Sequence, residues 1–155
     1  MDITIKNESD RFNCRVGAII YNENKTKILL EKQKNEIYMF PGGRLDIQED
    51  SNKAIKRELN EELNLKIDLT LKYIIEMFVR SSKTKYHEIG FYYLTQIKES
   101  QIGDGFKSLD GNGVFYWIPV HDLNNYHILA TPIKNKIIQE EIDNLELEHL
   151  IYKEY

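Results

Sequence analysis

The sequence predicts a mixed α/β fold: a mixed β-sheet flanked by helices, in a single domain covering residues 1–155. Three observations carry this. Five segments are rich in β-branched and aromatic residues, two segments repeat apolar residues at helical spacing, and the two kinds alternate irregularly with hairpins among them. No internal repeat, low-complexity tract or Pro/Gly/Ser linker interrupts the chain, and 155 residues suit one core.

Taken in order, Arg15–Tyr21 (RVGAIIY) and Lys27–Glu31 (KILLE) read as a hairpin turned by Asn22–Lys25. Met39–Gly43 (MFPGG) breaks regular structure, because Pro41 fixes one φ and two glycines open conformations closed to other residues. From Asp50, a plausible N-cap, to about Leu63 the pattern is helical, with Ile55, Leu59 and Leu63 on one stripe. Asn64 stands where a helix end takes a left-handed residue. Leu71–Arg80 and Lys85–Ile97 read as two strands joined by a turn at Ser81–Thr84. Gly103–Gly113, with four of the eight glycines, reads as a mobile loop, and Val114–Ile118 as a strand closed by Pro119. Pro132 opens a last helix to about Glu148, with Ile133, Ile137, Ile138 and Ile142 on its buried stripe.

Composition excludes several classes. The chain is 41% hydrophobic and 30% charged, too apolar for a disordered chain. No run approaches the roughly 18 apolar residues of a membrane-spanning helix. The charged N-terminus, MDITIKNESDRF, lacks a signal peptide's apolar core, and the single Cys14 suits a reducing compartment, so a cytoplasmic location is expected. A net charge of −4 offers no general attraction to nucleic-acid backbones or anionic membranes. An anionic substrate would have to be held by local cations or bound metal.

One segment carries chemistry. Glu58, Glu61 and Glu62 are spaced i, i+3 and i+4. At about 100° per residue, Glu61 and Glu62 lie roughly 60° and 40° either side of Glu58, on one helix face. Three carboxylates so close repel one another. Either they face solvent, or a hard divalent cation neutralises them, as Mg²⁺ does with one or two carboxylates and substrate phosphates. Asp110-Gly111-Asn112-Gly113 has the look of a calcium loop but lacks its ligand spacing, with His121 where Glu would stand.

The context favours the cation. Five residues separate Gly43 from Glu49 and seven separate Glu49 from Arg57-Glu58-Leu59, followed by Glu61-Glu62 and Asn64-Leu65. This resembles the Nudix box in every fixed position except Asn64, where the family has Gly, and Phe40–Leu45 resembles the usual lead-in. Looser likeness spans roughly residues 12 to 140: Phe12–Ala18 looks like a first core strand, and Trp117–Pro119 with Asp122-Leu123 like a late strand and the start of the helix behind it.

The resemblance implies an α/β/α sandwich that hydrolyses the pyrophosphate bond of a nucleoside diphosphate linked to another moiety, with Mg²⁺ as cofactor and Mn²⁺ as a possible substitute. It implies Glu58 and Glu62 as metal ligands, Glu61 as third ligand or water-positioning base, and Glu49 and the Gly43 carbonyl as further metal contacts. Arg57 is expected to hold Glu49 or another carboxylate in place, because it points roughly 100° around the helix from Glu58. Arg15 and Arg44 are candidates for substrate phosphates, with Arg80 a weaker one. Glu76 and Glu88 are candidate bases outside the box, each weighed against a plain solvent-facing role. His87 is expected to be a partly buried, hydrogen-bonded residue. Tyr38, Phe78, Tyr86 and Tyr92 could stack on a base but read first as core. The expected partner is a small nucleotide (a nucleoside triphosphate, an ADP-ribose-like compound or a sugar nucleotide) rather than membrane or nucleic acid, with a homodimer possible. A non-hydrolytic nucleotide sensor is the competing reading, weakened because every box carboxylate is present.

Overall fold

The computed structural model describes residues 1–139, 142, 144 and 146–155. Among them, one sheet gathers eleven strands: β1 (Thr4–Lys6), β2 (Asp10–Tyr21), β3 (Lys27–Lys32), β4 (Ile37–Met39), β5 (Gly42–Arg44), β6 (Thr70–Arg80), β7 (Lys85–Gln96), β8 (Phe106–Lys107), β9 (Val114–Pro119), β10 (His127–Ile128) and β11 (Glu148–Glu154). The helices are α1 (Ser51–Leu63) and α2 (Thr131–Ile138), with short 3₁₀ turns at Lys34–Glu36, Glu99–Gln101 and Val120–Asn125. The 3₁₀ turn after β9 stands where a regular helix was expected to begin behind the late strand. No helix of the described residues is long and apolar enough to cross a membrane.

Strand parity divides the core in two. Ile19, Ile28 and Leu30 face α2, packing with Ile133 and Ile137, while Ala18, Ile20 and Leu29 face α1, packing with Ile55, Leu59 and Leu63. Neighbouring residues of β2 and β3 thus fill opposite cores, because successive strand side chains alternate faces. The result is the sandwich that the sequence predicts: mixed sheet, one helix on each side.

β2 organises the site. One edge runs parallel to β7 for its whole length. The other is shared in turn by β1 at Arg11–Asn13, β5 at Arg15–Gly17 and β3 at Tyr21. The expected hairpin of β2 and β3 is therefore real only at its turn, where Tyr21 pairs with Ile28. Beyond it β3 diverges from β2, pairing with β4 at Glu31–Lys32 while β9 lines its opposite edge throughout, and Gly42–Arg44 at the end of the MFPGG segment fills the vacated edge of β2 as a strand rather than only breaking structure. Arg15 ends up in register with Arg44.

The helix boundaries at Asp50 and Asn64 hold. The Asp50 side chain accepts from the Lys53 amide at 2.9 Å, and Asn64 is left-handed at φ 50°, ψ 38°. Two expectations fail. Gly103–Gly113 is not a bare loop: it carries β8, and the Leu109 amide donates to the Glu62 carbonyl at 2.9 Å, tying the segment to the end of α1. The last helix stops at Ile138, and the expected helical residues Glu140, Glu141, Asp143 and Leu145 lie outside the described residues. Glu148 begins β11, which runs parallel to β6. Lys72 explains the change. It sits beside an irregularity in the β6–β7 register, is 1% exposed, and donates to Asn144 Oδ1, the Glu146 carbonyl and Glu148. A buried ammonium needs such acceptors, and they fasten the C-terminal segment to the sheet.

Candidate active site

A cleft of about 400 Å³ opens between α1, β5 and the Ser108–Gly113 segment, lined by Arg15, Glu31, Arg44, Glu58, Glu62 and Asp110. α1 supplies Glu58 and Glu62 because its apolar stripe is pinned to the sheet, which turns the adjacent arc toward β5. Glu61 goes the other way: its side chain is 52% exposed and meets Arg57 at 3.4 Å. Of the three box carboxylates on α1, two face the cleft and one faces solvent.

Arg57 is the hub of the box. Nε and Nη2 grip the two Glu49 carboxylate oxygens at 2.7 and 2.9 Å, Nη1 donates to Glu58 at 2.9 Å, and Nη2 reaches the Arg44 carbonyl at 3.1 Å. Hydrogen bonds from Arg57 hold the Glu49 carboxyl below the usual carboxylate range, and the guanidinium is in turn driven up by Glu49. Glu49 also accepts from the Asp46 amide at 3.0 Å. Both its oxygens are therefore engaged, and it holds Arg57 instead of facing the cleft. Gly43 lies against α1 so closely that a Cβ would overlap the Glu58 carboxylate.

Glu62 is the anomaly. It is 4% exposed, and its Oε2 is buried with no hydrogen-bond partner among the described residues. Burial, then the Glu31 and Glu58 charges, push its carboxyl up to about 9. Glu58 is also raised by burial, against the pull of Arg57. Such a group is unfavourable unless protonated or met by a cation. As they stand, no three His, Cys, Asp or Glu side chains among the described residues are gathered closely enough to hold a metal. The fit to a cation rests on the orphaned Glu62 oxygen and on the excess of acceptors around it.

Glu31 was missed in the sequence, as was Asp110 outside its rejected calcium loop. Glu31 is buried on β3, bonded to Gln33 and Glu62, and raised by burial and by Asp110. The signal was parity: Leu29 packs under α1, so Glu31, two residues on, shares that face and meets the same helix near its end. Gly113 is where it is because a Cβ there would overlap the Glu31 carboxylate. Asp110 Oδ1 accepts from Ser108 Oγ and the Asn112 amide, a local turn that aims the loop at the cleft.

The other candidates scatter. Arg15 and Arg44 border the cleft, Arg44 also bonding Asp2 at 3.1 Å, whereas Arg80 lies over the Tyr155 ring. Glu76 pairs with His149 of β11 at 2.7 Å and does not line the cleft. Glu88 lines a neighbouring pocket. His87 is held by rings, stacked on Phe78 and edge-on to Phe12, and its buried Nε2 has no partner among the described residues, so the expected hydrogen bond is absent there. Tyr38 and Tyr92 are core, as their strand positions suggested.

Comparison with known proteins places the chain in a family. An RNA pyrophosphohydrolase of Ruthia magnifica subsp. Calyptogena magnifica is 31% identical over 61 residues, covering 39% of this chain and 34% of that protein. An 8-oxo-dGTP diphosphatase of Buchnera aphidicola subsp. Schizaphis graminum is 35% identical over 86 residues, 52% of this chain and 59% of that one. The matched part of this chain thus spans about a third of the length of the RNA pyrophosphohydrolase. A MutT protein from Bacillus halodurans superposes with a TM-score of 0.65 at 15% identity, over 92% of this chain and 90% of that one, which shows a shared fold. The NUDIX domain model matches residues 12–140, most of the chain and the whole of the cleft just described, and this protein belongs to that family.

Proposed function

We propose that the chain hydrolyses the pyrophosphate linkage of a small nucleoside-diphosphate compound, such as a nucleoside triphosphate or a nucleotide sugar, with Mg²⁺ or Mn²⁺. The observation that carries this is Glu62: a buried carboxylate whose Oε2 has no hydrogen-bond partner among the described residues, beside Glu58, in a cleft also lined by Arg15 and Arg44. In this reading Glu58, Glu62 and the Gly43 carbonyl hold the metal. Bound there, the cation would shield the pyrophosphate charge and acidify a water. Arg15 and Arg44, in register on β2 and β5, bind the phosphate oxygens and orient them toward α1. Arg57 and Glu49 act as positioning residues, holding Glu58 against the Gly43 backbone. Glu31 accepts the proton of the attacking water, since it is the remaining buried carboxylate at the cleft. Glu61, facing solvent, has a secondary part.

Phosphorus NMR on a panel of nucleoside triphosphates, dinucleotides and nucleotide sugars with Mg²⁺ tests this. Activity on at least one is expected, and Glu58→Gln and Glu62→Gln should each lower kcat roughly 100-fold, about 2.7 kcal/mol, with far smaller changes in KM. An inactive wild type, or full activity in Glu62→Gln, would overturn the reading.

A further inference from the structure

Beside the cleft lies a second compartment, of about 380 Å³, that shares Arg15, Met39 and Phe40 with it. Its floor is one face of the sheet. Rows across the strands place Tyr152, Met77, Glu88 and Asn13 in register, then Glu154, Val79, Tyr86 and Arg11. Residues 127–131, from β10 into α2, form the opposite wall. The outer edge of the floor is β11, which lies beyond the residues that match the family and is fastened by Lys72.

Behind the floor of this compartment one hydrogen-bond chain runs in a single direction. Asn13 Nδ2 donates to the Tyr86 hydroxyl at 3.0 Å, and that hydroxyl donates to Glu88. The chain of donors ends on Glu88, which is 5% exposed, so its free lone pairs are acceptors aimed at whatever enters. Glu154, which accepts from Tyr152, adds a second acceptor at the rim. Phosphate is repelled here and is drawn instead to Arg15 at the junction. The walls from Met39, Met77, Val79 and Ile128 are apolar and suit a flat ring better than a hydroxyl-rich sugar.

We infer that this compartment takes the base of the nucleotide, that Glu88 selects a guanine-type edge, and that β11 supplies the outer edge against which the base is held. Guanine offers two adjacent N–H donors to a carboxylate, whereas adenine sets a ring-nitrogen acceptor beside its amino group and would face Glu88 lone pair to lone pair. The inference rests on the hydrolase reading for its substrate, yet it can be tested without turnover. Calorimetric titration of the metal-free chain with guanosine monophosphate, adenosine monophosphate and inorganic pyrophosphate should show at least tenfold tighter binding of the guanine nucleotide than of the adenine one. Glu88→Gln, which keeps size but exchanges an acceptor for a donor, should cut that preference to within about threefold. Tyr152→Ala should weaken both nucleotides about tenfold and leave pyrophosphate binding as it was, an effect a general loss of structure would not give. Equal binding of the two bases by the wild type, or an undiminished preference in Glu88→Gln, would overturn the inference. Base preference in a chain that hydrolyses nothing would sustain it while refuting the hydrolase reading. Turnover without base preference would do the reverse.

Discussion

Gly43 shows how much one missing methyl group decides. The local reason for a glycine after Pro41-Gly42 looked like backbone freedom, but the contact that demands it is tertiary, because a Cβ would enter the Glu58 carboxylate. Gly43→Ala should therefore displace Glu58 from Arg57 and lower kcat more than tenfold, with the melting temperature only modestly reduced. Activity and calorimetry on the same preparation check the pair of outcomes, and an alanine variant with full activity would show that Glu58 has room to move. The hold of Arg57 on Glu49 or another carboxylate was legible in the sequence; its simultaneous grip on Glu58 and the Arg44 carbonyl was not, because that requires β5 to lie against α1.

At the scale of elements, α1 was readable end to end because its signals are local: a side-chain cap at Asp50, an apolar stripe recurring every four residues, and a left-handed Asn64. Asn64→Gly should be neutral or mildly stabilising, and Asn64→Val should cost on the order of 1 kcal/mol or more, since a β-branched residue resists that conformation. Chemical denaturation of both variants measures the difference; a harmless valine would mean that the helix end relaxes. The C-terminal segment misled for the complementary reason. Its isoleucine stripe does bury Ile133, Ile137 and Ile142, but the backbone after α2 follows the acceptors required by Lys72, a residue some seventy positions earlier. Likewise β5 exists only because β3 leaves β2 after one pair.

For the molecule as a whole, the cleft sets a pH dependence. Glu62 has its folded-state pKa raised to about 9, so the folded chain holds a proton there that the unfolded chain releases near 4.5. The resulting stability is complete below about pH 4.5 and is lost as pH rises toward 9, a linkage that Glu58 and Glu31 reinforce. In chelator, the melting temperature should fall from about pH 5 to pH 9, and either Glu62→Gln or saturating Mg²⁺ should flatten that fall. Equal slopes for wild type and Glu62→Gln would place the proton elsewhere. The sequence by itself determined the family and the helix that bears the box, since both depend on spacings of a few residues, and it directed Arg57 to Glu49 or another carboxylate. Only the tertiary structure decided that Glu31 joins Glu62, that Glu61 does not, and that a C-terminal strand walls a second compartment. Those outcomes depend on which strand lies beside which, and that choice is made by burial and hydrogen bonding summed over the whole sheet, a quantity that no short stretch of sequence contains.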